Sequence, residues 1–204
     1  MPATDDSLDA ADAYSAALQR LSAQLTPGWI PTDWSDGRLE WRFFRPRDGA
    51  TPQQGWKVHV SAGADECPAM LAAIATVLRD ERAAFRLPRR VDDVVLLNSG
   101  DAGAQQLGKI VTVYPRDVDH ARAVIGHVDD AWPSSRGPEV QTDLHVHPGS
   151  AVSFRYGAYG TGGTGVDSRR LCEFAVELAH GAAAPSRSAA RCASSRGKPS
   201  CCCS

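Results

Sequence analysis

The stretch GWKVHVSA, residues 55–62, decides the fold. Side chains on a strand alternate between faces, so Trp56, Val58 and Val60 point one way and Lys57, His59 and Ser61 the other. One face is apolar enough to bury, and the other suits water. That is the pattern of a half-covered strand in an antiparallel sheet, where lysine and histidine are ordinary on the wet side.

The neighbouring segments supply partners for such a strand. WIPTDWSDGRLEWRFFRP, residues 29–46, places aromatic and β-favouring residues on both sides of an SDG turn. AFRL (84–87), GKIVTVYP (108–115), PEVQTDLHV (138–146) and AVSFRYGAY (151–159) read as further strands. Three segments carry helical periodicity instead. Residues 7–25 repeat Leu8, Ala11, Tyr14, Leu18, Leu21 and Leu25 behind Ser7 as N-cap, and stop at Pro27 and Gly28. Residues 65–84 set Met70, Leu71, Ile74, Val77 and Leu78 in one stripe behind Asp65 as cap, and residues 117–132 point Val118, Ala121, Val124, Ile125 and Val128 inward. VDDVVLLNSG, residues 91–100, suits either a helical turn or a strand. The order predicts an α+β domain, with helices packed on a mainly antiparallel or mixed sheet.

Composition narrows the functional classes. In 204 residues, 43% are hydrophobic and 23% charged, with a formal net charge of −2. Such a balance gives no general affinity for nucleic acid or an anionic membrane surface. The N-terminus, MPATDDSLDAAD, is acidic and lacks the basic-then-apolar order of a secretion signal, so the expected compartment is the cytoplasm. Cys67 and Cys172 stand apart, while Cys192, Cys201, Cys202 and Cys203 crowd the end, without the spacing of a zinc site. LHVH puts His145 and His147 on one strand face, two ligands without a third.

The chain divides by composition into an N-terminal helix (1–27), a main domain (28–160), a glycine-rich linker compatible with a following helix (161–184), and a low-complexity tail (185–204). The tail has no Leu, Ile, Val or Phe and is expected to be disordered. GTGGTG, residues 160–165, satisfies the glycine pattern of a dinucleotide loop. The strand before it carries Arg155 and no complete βαβ unit follows, so a linker is expected.

Several cations sit on separate strand-like segments: Lys57 and His59, Arg86 in AFRL, Lys109 in GKIVTVYP, and Arg155 beside Tyr156 in FRYGAY. Were they to converge, phosphate would be their natural partner. The ordered set GWKVHVSA, AFR, LLNSG, GKIVTVYP, GP and FRYGAY resembles the N-terminal lyase domain of class III and class IV lanthipeptide synthetases, over about residues 28–160. That domain is in turn similar to the phosphothreonine lyase effectors.

The resemblance implies a phosphothreonine-lyase-like fold and β-elimination of phosphate from phosphoserine or phosphothreonine in a precursor peptide. The product is dehydroalanine or dehydrobutyrine, and no metal or organic cofactor is required. Lys57 matches the general base that removes the Cα proton, and His59 the general acid that protonates the departing phosphate. Arg155 matches a phosphate-holding arginine, with Arg86, Lys109 and Tyr156 as further phosphate contacts. Many members have lysine where this chain has Arg86. Members usually continue into a kinase and then a cyclase domain, and neither follows in these 204 residues. The expectation is therefore a fragment, a truncated gene product or a stand-alone lyase, with kinase and cyclase as separate partners in the last case. The alternatives are an inactive module that binds phosphopeptide or precursor, and a remnant of a truncated synthetase.

Overall fold

The computed structural model describes residues 5–49, 52 and 54–159. The expected linker, the tail and the GTGGTG segment lie outside them. The chain runs α1 (Asp5–Leu25), β1 (Trp29–Ser35), β2 (Glu40–Pro46), β3 (Gln54–Val60), α2 (Cys67–Glu81), β4 (Ala84–Pro88), α3 (Val91–Ser99), β5 (Val111–Tyr114), α4 (Val118–Ala131), β6 (Leu144–His145) and β7 (Val152–Ala158). A single 3-10 turn at Ala104–Gln106 leads towards β5.

All seven strands join one sheet in the order β1-β2-β4-β5-β3-β7-β6, and every pairing is antiparallel. The α+β expectation holds, and among the described residues every strand pair is antiparallel. Two sequence-based limits move. The helix expected from Ser7 begins at Asp5. The helix expected behind Asp65 begins at Cys67, and Glu66 takes the N-cap position without a side-chain cap bond. Asp65 is drawn away by Arg136, 2.6 Å from it. The ambiguous VDDVVLLNSG is α3: Asp92 and Asp93 suit the positive end of a helix, and Gly100 (φ +82°) ends it. The strand expected over 138–146 shrinks to the two residues of β6, because the segment before it packs across the sheet.

The SDG turn closes the β1–β2 hairpin. Asp36 Oδ1 accepts from the backbone N–H of Arg38 (3.0 Å) and Leu39 (2.9 Å), which fixes the register of Trp34 opposite Trp41. The core lies on one side of the sheet. Trp56, Val58 and Val60 of β3 are buried there with Phe85, Val113 and Phe154 from the adjoining strands. They pack with Leu21 of α1, Ile74 of α2 and Val124 of α4, each such side chain contributing roughly 1.5–3 kcal/mol. The helices thus cover one face and leave the other to the polar residues of β3. No helix among the described residues is long and apolar enough to cross a membrane.

Candidate functional site

Directly opposed residues of an antiparallel pair share a face, so the register places the cations. Arg86 opposes Thr112, Thr112 opposes His59, His59 opposes Ser153, and Ser153 opposes His145. One row of side chains therefore crosses five strands, with His59 at its centre. In the next row Lys57 opposes Arg155. Lys57, His59, Arg86 and Arg155 share the face that the helices leave open.

The segment after α4 closes one end of this face. Ser61 donates to the Pro138 carbonyl at 2.7 Å, and the Glu66 carboxylate accepts from Ser135 Oγ at 2.8 Å and the Arg136 N–H at 3.0 Å. A Cβ at Gly137 would lie 2.6 Å from the Ala62 carbonyl carbon, so only glycine permits this approach. The docked segment delivers Thr142 and Asp143 to the sheet.

Asp143 was not apparent from the sequence. Its side chain is fully buried, accepts a short hydrogen bond from His59 Nδ1, and lies 3.0 Å from Lys109 Nζ and 3.8 Å from Arg155 Nε. Thr142 Oγ1 donates to it at 2.8 Å and accepts from Lys109 at 2.8 Å. Burial opposes ionisation of Asp143. The hydrogen bond from His59, the charge of Lys109 and the hydrogen bond from Thr142 outweigh it, and hold the carboxyl well below its ordinary range.

Two of the candidate phosphate contacts are placed differently from expectation. Lys109 reaches the site but is 1% exposed and turned to Asp143 and Thr142, so it neutralises a carboxylate. Tyr156 does not join the site. It opposes Trp56, meets that ring edge-on at 5.4 Å, and packs against the core on the helix-covered face. Alternation is the reason, since its neighbour Arg155 takes the open face. Tyr159, two pairs of residues beyond Arg155, fills that place. Lys57 Nζ lies 5.9 Å from its ring, and its hydroxyl donates to the Trp56 carbonyl at 2.7 Å. A side chain at Gly55 would collide with that hydroxyl, which accounts for the glycine opening GWKVHVSA.

The electrostatics separate Lys57 from His59. Burial first, then the charges of Arg155, Arg86 and Lys109, push Lys57 down to about 8, with Asp143 partly offsetting them. Deprotonating such a lysine at pH 7 costs roughly 1.4 kcal/mol, against roughly 4–5 for an unperturbed one. Burial also pushes His59 down to about 4, against the pull of Asp143. We assign His59 a neutral imidazole. Asp143 already shares its charge with Lys109 and Arg155, and too little remains to sustain a buried imidazolium. A carboxylate can only accept, so His59 keeps its proton on Nδ1 and turns a lone pair outward on Nε2.

Stability follows from that depression. Since the unfolded chain takes up the His59 proton near pH 6.5, stability is full above that pH and falls as pH drops towards 4. Replacing His59 with glutamine is expected to flatten this part of the urea-midpoint profile. An equal slope in His59→Gln would show that other groups set it.

The face also holds unsatisfied donors. Arg86 Nε and Arg155 Nε are buried without a hydrogen-bond partner in the protein, as are the Thr112 and Ser153 hydroxyls. Arg86 is held by stacking, its guanidinium 4.2 Å from the Trp41 ring, and makes a long 3.5 Å bond to Gln106. Unpaired guanidinium N–H groups beside a buried cation cluster are suited to an anion. Among the described residues, no three His, Cys, Asp or Glu side chains are grouped to hold a metal. His145 and His147 turn to separate carboxylates, Glu139 at 3.5 Å and Asp129 at 3.3 Å.

Comparison with known proteins agrees with this architecture. The structure is similar to the phosphothreonine lyase OspF from Shigella flexneri, with a TM-score of 0.54 at 13% identity, covering 79% of this chain and 84% of that one. It is also similar to the VirA (SpvC) phosphothreonine lyase effector of Chromobacterium violaceum, with a TM-score of 0.51 at 14% identity over 82% and 97% of the two chains. At such identities the likeness establishes the fold. In sequence, the chain is 33% identical over 153 residues to a probable SapB synthase of Streptomyces coelicolor. That alignment covers 73% of this chain and 16% of the relative. The family described as RamC, N-terminal domain, matches residues 20–193, most of the chain. The resemblance to lanthipeptide-synthetase lyase domains is therefore sustained in sequence and in fold, and the chain belongs to the RamC N-terminal domain family.

Proposed function

We propose that this domain eliminates phosphate from phosphoserine and phosphothreonine residues of a precursor peptide. The observation that carries the proposal is Lys57 beside a carboxylate-held histidine on the face of two arginines, Arg86 and Arg155, whose buried Nε groups have no hydrogen-bond partner in the protein; burial and the neighbouring cations lower Lys57. Neutral Lys57 Nζ takes the Cα proton, and the freed electron pair forms the Cα=Cβ bond. The Cβ–O bond breaks, and protonated His59 delivers its proton to the departing phosphate oxygen. Arg86 and Arg155 hold the phosphate. No electron is gained or lost, so the balance needs only acid and base. Neighbouring places on one strand face suit a substrate whose two reacting atoms are adjacent.

His59 must then gain a proton as substrate arrives, because it rests neutral. The phosphate dianion favours that gain. Binding of a phosphoserine peptide at pH 7 is expected to take up close to one proton, read from the dependence of calorimetric enthalpy on the ionisation enthalpy of the buffer. The uptake should vanish in His59→Gln. Wild-type binding without uptake would remove His59 as the acid.

One observation favours a second reading, a module that binds phosphopeptide without turnover. His59 is 2% exposed and burial favours its neutral form, so neither access nor proton is ready-made. Mass spectrometry of a phosphoserine peptide after incubation with the domain distinguishes the two, since elimination changes the peptide and binding does not.

A further inference from the structure

The open face continues beyond the cations. On the β1–β2 hairpin, Ile30, Thr32 and Trp34 of β1 stand opposite Arg45, Phe43 and Trp41 of β2, all on the side of Arg86. Trp34 is 41% exposed, an unusual position for so large an apolar surface on a strand. Its ring stacks on Trp41, with centroids 6.2 Å apart and planes 23° from parallel. The Arg86 guanidinium lies 4.2 Å from the Trp41 ring and 5.9 Å from that of Trp34. The arginine assigned to phosphate is therefore also the inner edge of an aromatic shelf.

A peptide seated at His59 has few ways out. Residues 133–143 close the end of β3, where Ser61 and Gly137 hold them against the sheet. Towards β1 the face is open: of the β1 residues on this side, Thr32 and Trp34 are exposed. Strands lie about 4.8 Å apart, so Trp34 stands roughly 10 Å from β4, about three residues of extended peptide.

We propose that the Trp34 shelf is a specificity subsite for the proposed lyase, taking an apolar, preferably aromatic, side chain of the substrate peptide a few residues from the phosphorylated one. The inference rests on the phosphopeptide reading above. Continuity with Arg86 identifies the occupant: the same bound peptide that places its phosphate on that guanidinium carries its next residues over the two indoles. Tryptophan and arginine are enriched among the residues that dominate binding at interfaces.

The test uses phosphoserine peptides in an alanine–glycine background, each with one phenylalanine at a different position on either side of the phosphoserine. Wild type is expected to bind one or two adjacent positions about tenfold more tightly than the background peptide. Trp34→Ala should erase that preference, and Trp34→Phe should keep most of it. Uniform affinity across the series, or a preference that survives Trp34→Ala, overturns the subsite. Failure of wild type to bind even the background phosphopeptide or inorganic phosphate sinks the parent reading instead, and so is told apart.

Discussion

Replacing Lys57 with alanine abolishes elimination, by about a thousandfold or more, while phosphopeptide binding stays within a few-fold of wild type. A positioned base contributes roughly 10²–10⁴ to such a step. Among the described residues of this face, Arg86 and Arg155 stay charged, Lys109 is bound to Asp143, and His59 is assigned to the leaving oxygen as its acid. The fold should tolerate the change, because burial first and then the charges of Arg155, Arg86 and Lys109 lower Lys57 to about 8, and its removal relieves both. Lys57→Arg separates two roles. It preserves positive charge for binding but has no neutral form near pH 7, so it should bind and not eliminate. Retained turnover in Lys57→Arg would make Lys57 a phosphate ligand and move the base elsewhere.

His59→Ala is expected to slow elimination about a hundredfold or more, with a loss that narrows for leaving groups needing less protonation. That dependence identifies an acid. Were His59 the base and Lys57 the phosphate holder, the loss would be independent of the leaving group. The neutral resting state of His59, with its Nδ1–H donated in a hydrogen bond to Asp143, makes this contrast necessary.

Much of this architecture was legible in the sequence because period-two alternation is a local property. GWKVHVSA alone separated the apolar face from the polar one, and the other strands supplied cations of the same parity in Arg86 and Arg155. The same rule, applied to FRYGAY, excludes Tyr156 from the face that Arg155 occupies and selects Tyr159. Asp143 was harder to see. TDLHV reads as a strand, and only the docking of residues 133–143 through Glu66, Ser61 and Gly137 turns the carboxylate onto His59. A signal did exist in charge balance: cations gathered in a partly buried site require an anion. Lys109 shows the complementary difficulty. Its place on a strand-like segment was evident, but whether it faced phosphate or a carboxylate depended on the same long-range packing. The two-residue β6 is likewise set by its partner β7, since two residues hold too little pattern to announce themselves.

The central claim is that this face eliminates phosphate from a peptide. The most direct measurement is the mass of a phosphoserine peptide after incubation with the wild-type protein. Elimination removes phosphoric acid and leaves an alkene, a loss of roughly 98 Da, and the product should then add a thiol, whereas hydrolysis restores the hydroxyl and loses only about 80 Da. The account predicts the larger loss, dependent on Lys57. A wild-type protein that binds the phosphopeptide and returns it at unchanged mass would contradict it.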